Sequence, residues 1–297
     1  MRQALSVFIF VGVLVAFDMP DTLPTSENQQ TVHSNPLNMR KKEKALAFVQ
    51  AALSQDEAKV RELAALNYIQ HNPFIPTGLE AFIGLLPVLK ENGTSAEAFR
   101  VLEDDNFVVL HHLWKGAKPF GAEEMVSFDI LRFDEQGKIV EHWDAMMPNT
   151  PPNPSGRTLL DGPSEVVDLD ATEANKELVL KLVDDVLFGK NPNNITKYIS
   201  TETYHQHNPS IKDGLDGLQE AFHYLIANND MFQYKKLHKA IAEGNFVLTV
   251  NEGEWHGNPH IFYDLFRIEN GKVVEHWDVI QQIPTENLAN KNTMFNF

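Results

Sequence analysis

The chain has 297 residues, 43% of them apolar and 22% charged, with 41 acidic against 25 basic side chains and a net charge of −16. That length has room for one large or two medium domains, and the composition excludes a disordered chain, collagen and a polytopic membrane protein. The acidic balance argues against a nucleic-acid partner, and the lack of cysteine removes disulfides, thiolate nucleophiles and zinc fingers.

In chain order, Arg2 precedes the apolar run Ala4 to Phe17. The run is short against the roughly 20 residues of a membrane span but suits the apolar core of an export signal. Residues 1–18 are therefore read as a signal peptide of an exported protein, the alternative being an N-terminal anchor, and membrane contact is expected only if the segment stays uncleaved. Residues 19–38, rich in Pro, Ser, Thr, Asn and Gln, read as a disordered spacer. Lys44 to Leu53 sets Ala45, Phe48, Val49 and Leu53 on one helical stripe. Asn72-Pro73 ends a helical part, because the residue before proline is driven out of the helical region. A short helix is predicted from Gly78 to Leu89, followed by strands over Ala98 to Leu102, Phe107 to Leu113, Met125 to Phe133 and Lys138 to Ala145. A second helical stripe, Leu178 to Leu187, follows the N-cap candidate Thr172, with Asn208-Pro209, a helix from Leu215 to Ile226 and four further strands after it.

The order repeats because the sequence repeats. Tyr68-Ile-Gln-His-Asn-Pro73 returns as Tyr204-His-Gln-His-Asn-Pro209, Phe128-Asp-Ile-Leu-Arg-Phe133 as Tyr263-Asp-Leu-Phe-Arg-Ile268, Gly137-Lys-Ile-Val as Gly271-Lys-Val-Val, and Glu141-His-Trp-Asp144 as Glu275-His-Trp-Asp278. The offset drifts from 136 to 134, as small loop changes would produce. A tandem duplication of one unit is expected, with domains at 39–163 and 172–297 and a linker at 164–171. Helices first and an antiparallel meander after them predict an α+β fold in each unit.

The last two strands of each unit can be registered from their charges. Pairing numbers that sum to 273 sets Arg132 opposite Glu141 and Asp129 opposite Asp144, and a sum of 542 repeats this for Arg267 with Glu275 and Asp264 with Asp278. Side chains alternate across a sheet, so Asp129, Leu131, Phe133, Val140, His142 and Asp144 are expected on one face, and Asp264, Phe266, Ile268, Val274, His276 and Asp278 on its counterpart. Two carboxylates and an imidazole on an apolar face are a candidate acid/base site, since opposed carboxylates cannot both ionise cheaply and one pKa rises toward the working pH. Asp144, Asp278, Asp129, Asp264, His142 and His276 are the candidate catalytic residues. His71 and His207 are candidate oxyanion donors at the mouth of the helical layer. His111 and His112 fall opposite Val250 and Asn251, so an extra imidazole, taken as His111, is expected in the first pocket only.

These motifs resemble the SnoaL-like polyketide cyclase family of the nuclear-transport-factor-2-like superfamily, over both units and most specifically in Glu-His-Trp-Asp after a Gly-Lys turn. The resemblance implies two tandem cone-shaped α+β barrels, each a curved antiparallel sheet wrapped by N-terminal helices around one pocket. It also implies a cofactor-free aldol-type reaction with Asp144 and Asp278 as the acid/base groups. Where the cyclases carry a His on the preceding strand, this chain has Asp129 and Asp264. Tyr68, Tyr204, Phe133 and Phe266 are expected to bind substrate with His71, His207 and His111. The expected partner is a small apolar ligand, handled by an aldol, isomerase or dehydratase enzyme or held by a non-catalytic binding module of the same fold. No metal is expected, a His71, His142 and Asp144 set being the minor alternative. Because superfamily members pair through their sheets, an intrachain pseudo-dimer burying Trp143 and Trp277 is expected.

Overall fold

The computed structural model describes residues 39–297, so the export signal, anchor and spacer expected before residue 39 lie outside the described residues. Helices α1 (Lys41–Ser54) and α2 (Glu57–Leu63) open the first half. Asp56 starts α2 by accepting the Lys59 backbone N–H at 2.9 Å, which satisfies one of the free donors at a helix start. Strand β1 (Ala64–Gln70), α3 (Leu79–Ile83) and α4 (Leu86–Glu91) follow, then the meander β2 (Ser95–Asp104), β3 (Phe107–Lys115), β4 (Glu124–Phe133) and β5 (Ile139–Pro148). The second half runs α5 (Thr172–Leu182), α6 (Ile195–Tyr198), β6 (His205–Gln206), α7 (Gly214–Ala227), β7 (Gln233–Glu243), β8 (Phe246–Trp255), β9 (Asn258–Glu269) and β10 (Lys272–Gln282).

Each half is α+β, with a five-stranded sheet in the same order, β1-β5-β4-β3-β2 and β6-β10-β9-β8-β7. The meanders are antiparallel, but β1 and β6 join β5 and β10 in parallel. Each sheet is therefore mixed, and Tyr68 to Gln70 is strand where a helix end was expected. Three alternating residues before an Asn-Pro stop are too few to tell the two apart. Two further local differences have simple causes. The helix expected over Gly78 to Leu89 is broken into α3 and α4, with Gly84 and Leu85 between them. Thr172 lies inside α5 rather than at its N-cap, and its hydroxyl donates to the Leu169 carbonyl and accepts from Gly244 N–H.

The predicted registers occur in both hairpins: Arg132 faces Glu141, Asp129 faces Asp144, Arg267 faces Glu275 and Asp264 faces Asp278. A bulge follows each charge pair, so Phe133 pairs with Ile139 and Ile268 with Val273. The extra residue turns Val140 and Val274 away from the face expected for them, and Ile139 and Val273 pack under the helices instead. The second turn, Asn270-Gly271, has φ of 50° and 70°, the left-handed pair a two-residue hairpin needs.

One face of each sheet packs on its own helices, through Val108, Leu110, Leu131 and Phe133 in the first half and Val247, Phe266 and Ile268 in the second. The opposite faces share one apolar core, in which Phe128, Ile130 and Trp143 meet Leu248, Tyr263 and Trp277. Arg100 closes its edge: its guanidinium stacks on Trp277 at 4.1 Å and donates to the carbonyls of Leu160, Asp161 and Pro163. Gly162 must be glycine there, because its φ is +94° and a Cβ would lie 2.6 Å from Glu275 Oε1 and 2.8 Å from the Trp277 ring. Among the described residues no helix is long and apolar enough to cross a membrane.

Candidate active site

Between helices and sheet each half encloses a small cavity, about 60 Å³ in the first and about 70 Å³ in the second. Either has space for a few water-sized groups. The walls of the first are apolar side chains such as Phe48, Phe82, Leu89 and Leu131, and its polar patch is Gln70, Asp129, His142 and Asp144. The second repeats this with Gln206, Asn208, Asp264, His276 and Asp278 beneath Leu182, Phe222 and Phe266. It opens into a groove of about 520 Å³ through shared residues that include Ile211, Leu225 and Phe232.

Strand alternation and the Asp–Asp register put the carboxylates side by side, and hydrogen bonds give them opposite characters. Asp129 receives His112 Nδ1 at 3.0 Å, His142 Nε2 at 3.1 Å and the Ser127 hydroxyl at 2.5 Å. Burial by itself raises its pKa, but the hydrogen bonds from His112 and His142 outweigh it and hold Asp129 well below the carboxylate range. Asp144 has one donor, Asn72 Nδ2 at 2.7 Å, and lies 3.9 Å from His142 Nε2. Burial first, and then the charge of Asp129, push it up to about 6 against the pull of His142 and Asn72. A permanent anion thus stands next to a carboxyl that exchanges its proton near neutral pH.

Asp278 is raised in the same way, mainly by burial. Asn208 Nδ2 donates to its Oδ2 at 2.7 Å, while Oδ1 is buried without a partner. Asp264 is held differently, by the Tyr234 hydroxyl at 3.0 Å, Asn251 Nδ2 at 3.1 Å and His276 Nε2 at 3.2 Å.

The histidines differ through one amide. Asn72 N–H and Asn208 N–H fix the oxygens of Gln70 and Gln206 as acceptors. In the second half that oxygen lies 3.0 Å from His276 Nδ1, so His276 donates from both nitrogens and is an imidazolium. In the first half Gln70 Nε2 donates to His142 Nδ1 at 3.0 Å, which leaves His142 neutral with its proton on Nε2. Burial lowers both imidazoles, but the Asp129 or Asp264 hydrogen bond and the neighbouring carboxylates reverse this and raise them above the ordinary value. Charging His142 requires the Gln70 amide to turn.

The structure gathers Asp129, His142 and Asp144, and Asp264, His276 and Asp278, as the alternation predicted. Tyr204 and Phe266 also line the second cavity. The other candidates lie elsewhere. His71 and His207 belong to the opposite face, stacked on Trp143 and Trp277 at 4.4 and 4.5 Å, because alternation beyond Gln70 and Gln206 turns them outward. His111 likewise faces the shared core, stacked on Phe128 at 4.3 Å, and His112 is the imidazole at the first site. Tyr68 and Phe133 are core beneath the helices and do not line the cavity. Sequence reasoning missed Gln70, Asn72 and their counterparts, although their repetition was a signal, and Ser127 and Tyr234, which had none. Six ligand atoms fall in two compact sets, Asp129, His142, Asp144 and Asp264, His276, Asp278, each spanning at most 4.8 Å, so these residues could hold a cation. The His71, His142 and Asp144 set is not brought together.

No family model and no curated protein matches the chain. Among solved structures it is similar to IdmH, a candidate polyketide cyclase from Streptomyces antibioticus, at 19% identity over 36% of this chain and 92% of that one, with a TM-score of 0.31. A candidate ketosteroid isomerase from Kribbella flavida is similar at 14% identity over 39% of this chain and 84% of that one, TM-score 0.32. An NTF2-like protein of unknown function from Cytophaga hutchinsonii is similar at 13% identity over 38% and 96%, TM-score 0.32. Each match spans little more than a third of this chain, and the chemistry of the site is therefore argued from its own geometry.

Proposed function

We propose that the chain is an acid/base enzyme of the aldol, isomerase or dehydratase type, moving a proton beside the carbonyl of a small apolar compound. One observation carries the reading. Two buried carboxylates face each other at the wall of an apolar cavity, one bound by several donors and one with its pKa raised by burial, and both halves repeat the arrangement. A general base works best with a pKa near the working pH and an open approach to the substrate. Asp144 and Asp278 are both raised from the ordinary carboxylate value and face the cavity, whereas Asp129 and Asp264 are committed to their donors. Ionised Asp144 would take the proton α to the carbonyl and His142 would then donate to the forming enolate oxygen, with Asp278 and His276 in the same roles in the second cavity. The second half holds that donor already charged.

The test is α-proton exchange. Small apolar ketones are incubated with protein in D2O, and loss of the α-proton signal is followed by NMR for wild type and for Asp144→Asn/Asp278→Asn. Exchange by wild type that disappears in the double variant supports the reading. Ketones that bind without exchange overturn it in favour of a binding module, and exchange that survives the double substitution overturns the role of Asp144 and Asp278 as the base. We also read the halves as a duplication serving as its own dimer, on the strength of the repeated motifs, and the chain as exported, on the strength of Arg2 and the apolar run after it. N-terminal sequencing of protein recovered outside the cytoplasm tests the latter.

A further inference from the structure

The segment that follows each meander crosses to the other half. Asn290, in the tail after β10, is buried and donates from Nδ2 to the carbonyls of Asn72 and Ile75, each at 2.7 Å. Asn292 donates to the Gln70 carbonyl at 2.9 Å. Asn153, in the segment after β5, is also buried and donates to the carbonyls of Gln206 at 2.6 Å and Ile211 at 2.9 Å. The Oδ1 atoms are already used: Asn290 accepts from Asn292 N–H, and Asn153 from Ser155 and Arg157 N–H. Each amide is therefore oriented, with its oxygen toward its own tail and its nitrogen toward the loop of the opposite half.

Those loops carry the groups that aim the acid/base residues. Asn72 Nδ2 and Asn208 Nδ2 reach Asp144 and Asp278, and Gln70 and Gln206 reach His142 and His276. The loops lack regular structure between β1 and α3 and between β6 and α7. The residues Asn72, Ile75 and Gln206 are buried, and their carbonyls need donors from outside the loop.

We propose that Asn290 and Asn153 are positioning residues that act across the two halves, each fixing the loop whose Asn side chain orients the acid of the opposite site. The inference deepens the acid/base reading of the cavity and rests on it for its effect on turnover. Its geometry occurs twice, on tails that also repeat Thr158-Leu-Leu160 as Thr293-Met-Phe295. Asparagine is required, because aspartate would set a carboxylate against carbonyl oxygens.

The experiment reads the carboxyls without substrate, so its outcome is independent of whether proton exchange is found. In full-length protein labelled with 13C at aspartate carboxyls, Asp144 and Asp278 are assigned by their loss in Asp144→Asn and Asp278→Asn, and their titration midpoints are compared. Asn290→Ala should raise the Asp144 midpoint by roughly half a unit or more, as loss of a hydrogen bond to a charged group predicts, and leave Asp278 unmoved. Asn153→Ala should do the reverse, and Asn72→Ala should match Asn290→Ala in direction. A purely structural role would lower stability without this crossed pattern. Midpoints that stay put, or that move together in both halves, overturn the proposal. If Asn290→Ala fails to fold, Asn292→Ala is examined by hydrogen exchange. Faster exchange over 69–76 with 205–212 unchanged supports the proposal, and an equal or absent change overturns it.

Discussion

Replacing Asp144 by Asn should stabilise the protein at alkaline pH, an unusual outcome for a buried polar residue. Its carboxyl rises from 3.8 to about 6 on folding, a difference worth about 3 kcal/mol. Below pH 3.8 the group is protonated folded and unfolded, and the difference contributes nothing. As pH rises toward 6 the unfolded chain ionises first, so the fold loses stability, and above 6 the whole penalty is present. Asn keeps the shape and still accepts from Asn72 Nδ2, but carries no charge. Some of the gain is offset because ionised Asp144 supports a charged His142. The variant should exceed wild type by about 2–3 kcal/mol at pH 8, roughly 4–12 °C in Tm for a chain of this size, and by nothing measurable near pH 3. Urea and thermal denaturation of both proteins at the two pH values give the comparison, in which the other titrating groups cancel. A variant no more stable than wild type at pH 8 would show that ionised Asp144 is a structural anion and would remove the basis for a proton-exchanging group.

Asp129→Asn should behave oppositely. A carboxyl held below its unfolded value stabilises the fold above that value and loses its contribution as pH falls, and the substitution leaves one acceptor oxygen, and an amide donor, facing the donors of His112, His142 and Ser127. A loss of about 3–5 kcal/mol at pH 7, read by urea denaturation, is expected for breaking such a buried network. Phe128→Ala should cost about 3–5 kcal/mol, because the ring is fully buried between the sheets against Tyr263. The same denaturation should show both halves weakened rather than one. Gly253→Ala should cost about 1–3 kcal/mol, since its Cβ would lie 2.2 Å from the Gln233 carbonyl. The displaced β7 carries Tyr234, so the Asp264 carboxyl resonance should move while that of Asp129 stays in place.

What was legible in the sequence followed from charge and alternation. Arg132 with Glu141 and Arg267 with Glu275 fixed two hairpins, and those registers alone brought the aspartate pairs together. No such pair marks β3 against β4, where Leu110 faces Asp129. Without that register the sequence does not assign His111 and His112 to faces, and it is His112, not the expected His111, that meets Asp129. The bulges at Val140 and Val274 break a strict alternation that no local residue announces. Asn72 and Asn208 were visible as repeated motif residues, but an Asn before Pro reads first as a helix stop, and their bonds to Asp144 and Asp278 span 72 and 70 residues. Contacts of that separation are set by the fold, not by spacing along the chain.

The halves agree in the acid and differ in the group that holds its neighbour. In the first, Trp114 on β3 donates to Ser127, which donates to Asp129, and Ala96 faces Trp114 across the ladder. In the second, Gly253 stands in the place of Trp114 and Tyr234 in that of Ala96, and the Tyr234 hydroxyl reaches Asp264 directly. The large ring has passed from one strand to the next while the pair keeps a large and a small member, as close packing demands. His112 and Asn251 form a second exchange on the same strands: each donates to the aspartate, but only the imidazole can also carry a charge. The carboxylate geometry is thus the same in both cavities, while the groups around it, and with them the cavity walls, are exchanged.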